Sequence, residues 1–280
     1  MKVDWQKRDG VETQVFAPDA PAREAILFCP GFPGLGGAMF EQRHAAALVD
    51  AGYDVHVIHH KGTRTNSALA PFNINNGKRL QQAWEKGETH LGGGAASMDD
   101  LFAEPLIVLK AIAAQYDSLH VIGNSFGALT SLWTLTDKSA PIEKVRTLIL
   151  LAGAQGVDDG SDTCVMRIWK PEFMQLPRIT DQIEVRDTHG AIATLQQVYH
   201  DLPGRVVKGL PARIALTYIV MEHDEILRPS DTDAFRTAIG GRGDVILDGN
   251  ERGFPAYLLG AHETPNFRTN NFLKLIRGTK

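Results

Sequence analysis

Short apolar runs alternate along the chain with longer amphipathic segments, and Gly or Pro residues separate them. The run at 24–31 is nearly continuous in apolar residues, which is typical of a strand covered on both faces, and a further strand is predicted at 118–124. The segments 38–53 and 97–116 repeat apolar residues at helical spacing. Strands that are regularly followed by helices predict an α/β fold with a mostly parallel central sheet and helices on both faces.

The same patterns predict the other elements. Further strands are predicted at 12–19, 54–60, 145–153, 212–221 and 244–248, and further helices at 127–136, about 231–239 and about 263–277. The strand at 12–19 ends in Pro, which favours an edge position. Ser97 precedes a helix with acidic residues in its first turn, which predicts an N-cap.

Two segments interrupt the alternation. Residues 61–97 are rich in Gly, Asn and Thr and are predicted to be largely irregular. Residues 155–209 show no convincing central strand and are too long for a simple loop. We predict that they form a small helical cap, or lid, inserted into a core of residues 1–154 and 210–280. A long crossover connection is the alternative.

Composition describes an ordinary globular chain of 280 residues, with 43% hydrophobic and 22% charged residues and a net charge of −4. This charge provides no overall attraction for nucleic acid or an anionic membrane. No apolar run is long enough for a membrane span, and the first residues do not resemble a signal peptide. We therefore expect a cytoplasmic protein, although a processed secreted form would look the same. A homodimer is compatible with these features.

Two cysteines, Cys29 and Cys164, are too few for a disulfide framework or a four-cysteine zinc site. Two buried free thiols are expected, with a single bridge as the alternative. Histidines at 44, 56 and 120 lie within predicted elements and are interpreted as structural. His59 and His60 are adjacent on a strand, so their side chains point to opposite faces and do not form a joint metal site. No metal or other cofactor is predicted.

The sequence Gly123-Asn124-Ser125-Phe126-Gly127 follows a predicted strand directly and opens a predicted helix. A G-x-S-x-G motif in this context is typical of a nucleophile elbow, a tight turn that lifts the serine hydroxyl clear of the sheet. The turn forces the serine towards a positive φ, and side chains at the two glycine positions would collide with neighbouring backbone. Ser125 is therefore the candidate nucleophile.

A serine nucleophile needs a base, and the base needs an acid to orient it. His262 lies after the last predicted strand, and Asp224 lies in the loop after the strand at 212–221. Both loops are predicted at the same sheet edge as Ser125. The alternatives for the acid are Glu222, Glu225, Asp158 and Asp159.

Four motifs, GNSFG at 123–127, EHDEILRP at 222–229, GAHETP at 260–265 and CPGFPG at 29–34, resemble the α/β-hydrolase superfamily in order and spacing. The chain is most similar to its serine hydrolase branch, and the helical insertion resembles that of monoacylglycerol-lipase and serine-aminopeptidase-like members. The resemblance covers about residues 10–277. It implies an α/β-hydrolase fold and a catalytic triad of Ser125, Asp224 and His262.

An oxyanion hole is also implied, because the tetrahedral intermediate of acyl transfer needs two N–H donors. The elbow offers the N–H of Phe126, and by position in the superfamily the second donor is the N–H of Phe32. Pro33 has no N–H to donate. Pro30 stands where many members have a histidine that orders this loop, which leaves the loop geometry open.

Aromatic and apolar residues of the insertion are candidates for an acyl-binding pocket: Trp169, Phe173, Met174 and Tyr199. A small core of the insertion itself is an equally good interpretation of these residues.

The resemblance predicts cleavage of a carboxylic ester in a small-molecule acyl substrate through an acyl-enzyme, without a cofactor. Amide or peptide hydrolysis is the alternative that keeps both site and chemistry. An acyltransferase, a lyase, a haloperoxidase or a small-molecule receptor with a nearly idle triad are further alternatives, because fold does not settle function.

Overall fold

A computed structural model describes residues 1–32, 39–60, 85, 95–157, 167, 169, 184–185, 187–224, 227–248 and 269–278. The strands are β1 (Lys2–Arg8), β2 (Val11–Ala17), β3 (Glu24–Cys29), β4 (Asp54–His59), β5 (Ala95–Ala96), β6 (Ser118–Asn124), β7 (Val145–Leu151), β8 (Glu184–Val185), β9 (Ala215–Met221) and β10 (Asp244–Asp248). The helices are α1 (Met39–Asp50), α2 (Met98–Ala113), α3 (Phe126–Leu135), α4 (Thr188–Gly209), α5 (Pro229–Ala238) and α6 (Thr269–Arg277), with a 3₁₀ turn at Ile142–Lys144. Within these ranges no helix combines the length and apolar character needed to cross a membrane.

Eight of these strands form one sheet in the order β1-β2-β4-β3-β6-β7-β9-β10, and β5 pairs separately with β8. The strand β2 is antiparallel to β1 and β4, and the other neighbours in the large sheet are parallel. The mostly parallel α/β sheet predicted from the sequence is therefore confirmed.

The edge position predicted for the strand at 12–19 is wrong. The additional strand β1 occupies that edge, and β2 lies between β1 and β4. The residues of β1 are mainly charged and exposed or half-buried, so this strand lacks the alternation that reveals a half-buried strand. Backbone pairing with β2, such as Trp5 opposite Gln14, holds it in the sheet.

Each face of the sheet carries its own apolar core, as expected for strands covered on both sides. Along β3, Leu27 belongs to the core beneath α2, α3 and α4, whereas Ile26 and Phe28 belong to the core beneath α1 and α6. All three side chains are almost completely buried. This alternation fixes the register of β3, because a slip of one residue would exchange the two faces.

Part of the predicted cap contributes to one of these cores. Leu195, Tyr199 and Leu202 of α4 are fully buried in the core that includes α2 and α3. The second half of the segment 155–209 therefore covers the sheet face as a regular helix. Most of its first half lies outside the described residues, and the cap boundaries remain a prediction.

Parallel pairing brings the carboxyl ends of the central strands to one edge. Cys29 at the end of β3 lies opposite Gly123, and Asn124 at the end of β6 lies opposite Leu151. Leu151 in turn lies opposite Ile219 of β9. The segments that follow β3, β6, β7 and β9 therefore all begin at the same edge of the sheet.

The N-cap predicted at Ser97 is present as a capping box. The Ser97 hydroxyl accepts a hydrogen bond from the N–H of Asp100 at 3.1 Å, and the Asp100 carboxylate accepts one from the N–H of Ser97 at 3.0 Å. Two backbone donors that have no partner within α2 are thereby satisfied.

We expect Ser97→Ala to lower the free energy of unfolding by about 1 kcal/mol, because the substitution removes the acceptor at the helix start. Urea denaturation followed by circular dichroism measures the change. Ser230→Ala, at an exposed position in the first turn of α5, is the matched control and should change stability by no more than about 0.5 kcal/mol. Equal losses in the two variants would contradict a capping role for Ser97.

Candidate active site

Ser125 occupies a strained turn between β6 and α3. Its backbone has a φ of 53° and a ψ of −115°, a conformation that L-amino acids rarely adopt. The N–H of Ser125 donates to the carbonyl of Leu151 at 2.9 Å, and the carbonyl of Ser125 accepts from the N–H of Ala154 at 2.9 Å. Hydrogen bonds to the segment at the end of β7 thus hold the serine in the conformation predicted for the elbow.

The two glycines of the motif are required by close backbone contacts. A Cβ atom at Gly127 would lie 1.9 Å from the carbonyl oxygen of Cys29, and one at Gly123 would lie 2.4 Å from the carbonyl oxygen of Gly127. Neither neighbour is a flexible side chain that could move aside. The steric reason inferred from the sequence is therefore present at both positions.

Gly31, two residues beyond the end of β3, lies directly against the serine. A Cβ atom built on Gly31 would lie 3.2 Å from Cβ and 3.7 Å from Oγ of Ser125. The ring of Phe32 packs edge-on against the ring of Phe126, with 5.9 Å between the centroids. The structure thus brings together the two residues predicted to supply the oxyanion donors, next to the candidate nucleophile. The adjoining Cys29 is a buried free thiol, and burial raises the pKa of this thiol to about 12.

Asp224 lies three residues beyond the end of β9, at the same carboxyl edge of the sheet as Ser125. Its side chain is buried, and its Oδ1 accepts a hydrogen bond from the N–H of Leu227 at 2.8 Å. Glu222, one of the alternative acids, is exposed. Burial and a fixed carboxylate orientation suit Asp224 better than Glu222 to the role of the acid.

Several predicted site residues lie outside the described residues: His262, the alternative acids Glu225, Asp158 and Asp159, the pocket candidates Phe173 and Met174, and the second cysteine Cys164. The triad, the oxyanion hole and the pocket therefore remain predictions.

Trp169, from the predicted cap, packs on the candidate oxyanion residues. Its ring centroid lies 5.7 Å from that of Phe32 and 5.4 Å from that of Phe126. The indole N–H donates to the hydroxyl of Tyr199 at 3.2 Å, and this hydroxyl donates to the carbonyl of Ala154. Tyr199 is fully buried, so it anchors Trp169 to the core beside the site.

A buried pair of side chains, His60 and Glu104, lies next to Gly31 and was not predicted from the sequence. The Nδ1 atom of His60 lies 2.6 Å from Oε2 of Glu104, and both side chains are at most 3% exposed. Burial alone would lower the pKa of His60, but the Glu104 carboxylate and the carbonyls of Gly31 and Pro30 together raise it above its ordinary value. One signal was present in the sequence, because Glu104 occupies an apolar-stripe position of α2, three residues after Leu101.

His59, the last residue of β4, and His60, which follows the strand, face different surroundings, as predicted. The ring of His59 packs against Trp5 of β1, with 4.5 Å between the ring centroids. The ring of His60 packs against Phe126, with 5.9 Å between the centroids. Burial and the nearby charge of His60 lower the pKa of His59 to about 3. Across the described part of the chain, no three His, Cys, Asp or Glu side chains cluster in a way that would hold a metal ion.

A sequence profile for the alpha/beta hydrolase fold matches residues 24–181, which is more than half of the 280 residues. Together with the sheet order and the serine elbow, this match shows that the chain belongs to the α/β-hydrolase fold family. No curated protein is similar to the chain in sequence at a significant level.

Solved structures share the architecture over nearly the whole chain. A carboxylesterase of the ammonia-oxidizing thaumarchaeon Nitrososphaera gargenis is 14% identical and matches 98% of this chain and 97% of its own with a TM-score of 0.58. Est1E from Butyrivibrio proteoclasticus is 12% identical, with 98% and 99% coverage and a TM-score of 0.59. One of the metagenome-derived lipolytic enzymes LipS and LipT is 14% identical, with 88% and 90% coverage and a TM-score of 0.55. At these identities the similarity establishes the fold alone.

We expect Gly127→Ala to destabilise the protein by about 3 kcal/mol or more, because the added methyl group would overlap the Cys29 carbonyl. Gly204→Ala is the matched control, since no atom outside the backbone of its own helix and its chain neighbours lies within 4 Å of a Cβ at that position. Alanine is favoured over glycine in a helix by up to about 1 kcal/mol, so the control should be neutral or stabilising. Thermal unfolding measures both, and a Gly127→Ala variant as stable as the control would refute the close contact.

Proposed function

We propose that the protein is a serine hydrolase that cleaves a carboxylic ester through an acyl-enzyme intermediate. The observation that carries this proposal is the strained backbone of Ser125, held beside Gly31 at the carboxyl edge of the sheet. Such strain is costly and is concentrated at functional sites. An ordinary turn between a strand and a helix does not require it.

In the proposed reaction, the Ser125 hydroxyl attacks the substrate carbonyl carbon while its proton passes to the imidazole of His262. The carbonyl oxygen becomes an oxyanion that the N–H groups of Phe32 and Phe126 stabilise. Phe126 is the first residue of α3, so its N–H has no acceptor within its own helix. Asp224 would orient His262 and stabilise the imidazolium that forms.

Collapse of the tetrahedral intermediate breaks the bond between the carbonyl carbon and the alkoxy oxygen, and His262 gives its proton to the departing alcohol. The acyl group then remains bound to Ser125. His262 takes a proton from a water molecule, whose oxygen attacks the acyl carbon. Breakdown of the second intermediate releases the carboxylic acid and returns the proton to Ser125. Every step uses groups of the chain and water alone.

An ester is proposed as the substrate because an alkoxide is a better leaving group than an amide nitrogen. Ester cleavage therefore needs fewer contacts between the site and the leaving group than amide cleavage does. Two structural neighbours, a carboxylesterase from Nitrososphaera gargenis and one of the lipolytic enzymes LipS and LipT, are named for activity on esters, and this supports the choice. For the acyl group, we propose that Trp169 forms one wall of the pocket, since its ring contacts both Phe32 and Phe126.

We expect Ser125→Ala to lower the rate of hydrolysis of short nitrophenyl esters by about 10⁴-fold or more and to abolish labelling by a fluorophosphonate probe. Mass spectrometry of the labelled wild-type protein should locate the adduct on Ser125. Ser139→Ala, in an exposed turn after α3, is the matched control and should retain both activities. A folded wild-type protein that neither reacts with the probe nor hydrolyses esters would instead favour the receptor interpretation.

We expect Asp224→Asn and His262→Ala each to lower kcat by about 10³- to 10⁴-fold, because the histidine loses its orientation or is absent. Glu222→Gln removes a neighbouring but exposed carboxylate and should leave kcat nearly unchanged. Steady-state kinetics on the same nitrophenyl ester compares the three variants. If Asp224→Asn stayed active and Glu222→Gln did not, Glu222 would be the acid.

A further inference from the structure

His60 makes a second contact that links it to the loop after β3. Its Nε2 atom lies 3.1 Å from the carbonyl oxygen of Gly31, while its Nδ1 atom faces the carboxylate of Glu104 at 2.6 Å. A carbonyl oxygen can only accept a hydrogen bond, so Nε2 must carry a proton in this contact. The Glu104 contact at Nδ1 leaves Nε2 directed towards Gly31.

The carbonyl of Gly31 and the N–H of Phe32 belong to one peptide unit. A trans peptide is planar, so its C=O and N–H bonds point in opposite directions. A hydrogen bond that fixes the Gly31 carbonyl towards His60 therefore fixes the Phe32 N–H in the direction away from His60. This is the N–H assigned above to the oxyanion hole.

The ring of His60 also packs against the other half of the candidate oxyanion hole. Its centroid lies 5.9 Å from that of Phe126, the residue that follows the nucleophile. His60 is buried, and its own position is fixed because Glu104 belongs to the long helix α2. Pro30, which precedes Gly31, has no N–H that could donate a hydrogen bond to orient this segment.

We propose that His60, held by Glu104, is a positioning residue that orients the Gly31–Phe32 peptide and thereby preorganises the oxyanion hole. The inference rests on the proposed serine hydrolase function. His60 does not contact the reacting atoms in this scheme. It acts through the peptide whose carbonyl it binds, and its effect should therefore appear in the transition state rather than in substrate binding.

Two substitutions of similar size separate hydrogen bonding from packing. His60→Gln retains an amide N–H near the place of Nε2, whereas His60→Leu retains bulk without a donor. We expect His60→Leu to lower kcat for a nitrophenyl ester by about 10- to 100-fold with KM changed by less than about threefold, since a whole oxyanion donor contributes about 10²- to 10³-fold. His60→Gln should recover at least about fivefold of that loss.

A transition-state analogue gives a second readout. A trifluoromethyl ketone adds to the nucleophilic serine and places an oxyanion in the hole, so its affinity should fall in the Leu variant in parallel with kcat. His120→Leu is the matched control, because His120 is also a buried histidine but lies within β6 and contacts Thr147 and Tyr53. It should leave kcat and the analogue affinity nearly unchanged even where its melting temperature falls. Equal kinetics of the Gln and Leu variants of His60, or a kcat loss in the control that matches theirs, would overturn the proposal.

Nitrogen-15 NMR of the unaltered protein tests the contact without relying on variants that fold. At pH 7.5 we expect Nε2 of His60 to be protonated and its N–H to exchange slowly with water. An unprotonated Nε2 would overturn the proposal whatever the variants do. If this signature is present but the wild-type protein shows no Ser125-dependent hydrolysis, the proposed function fails. If hydrolysis depends on Ser125 but His60→Leu retains more than half of kcat, only the positioning role fails.

Discussion

The contact between the start of α3 and the end of β3 is the constraint on which the site depends. These two backbones approach so closely that the position of a Cβ on Gly127 lies 1.9 Å from the carbonyl oxygen of Cys29. The same approach sets Gly31 against Ser125, so the elbow and the first residues after β3 form one unit. The positive φ of Ser125 costs on the order of 1–3 kcal/mol. The hydrogen bonds to Leu151 and Ala154 help to offset that cost, and they exist only when the parallel strands are in register.

Aromatic packing extends this unit into the core. The ring of Phe126 contacts Phe102 of α2 as well as Phe32 and Trp169. Trp169 is tied through Tyr199 of α4 to the carbonyl of Ala154, which lies beside Ser125 in the hydrogen-bond network. Elements far apart in the chain therefore converge on the residue after the candidate nucleophile. A site supported in this way keeps its geometry without binding energy from a substrate, which is what preorganised stabilisation of an oxyanion requires.

Sequence patterns predicted those features that arise from local sterics and burial. The bounds of β6 and β10 agree with the prediction to the residue, because each apolar run ends at residues that favour turns. These residues are Gly123 and Asn124 in β6 and Asp248 in β10. The strained conformation of Ser125 follows from its glycine neighbours in the same way. The exposed edge strand β1 could not be predicted, because backbone pairing rather than apolar alternation holds it. The pair of His60 and Glu104 joins residues 44 positions apart, and no local pattern shows that a strand end and a helix position will meet.

The burial of that pair is itself an argument for a role beyond stability. Removing a histidine and a carboxylate from water carries a desolvation penalty, and apolar residues of similar volume often stabilise a core equally well or better. Stability alone therefore gives little reason for His60 and Glu104 to be nearly inaccessible to solvent. A leucine at position 60 would fill the space but leave the Gly31 carbonyl without this donor, free to rotate with the peptide that carries the Phe32 N–H. Burial of the pair is understandable if the orientation of the Gly31–Phe32 peptide matters more for function than the desolvation penalty of His60 and Glu104.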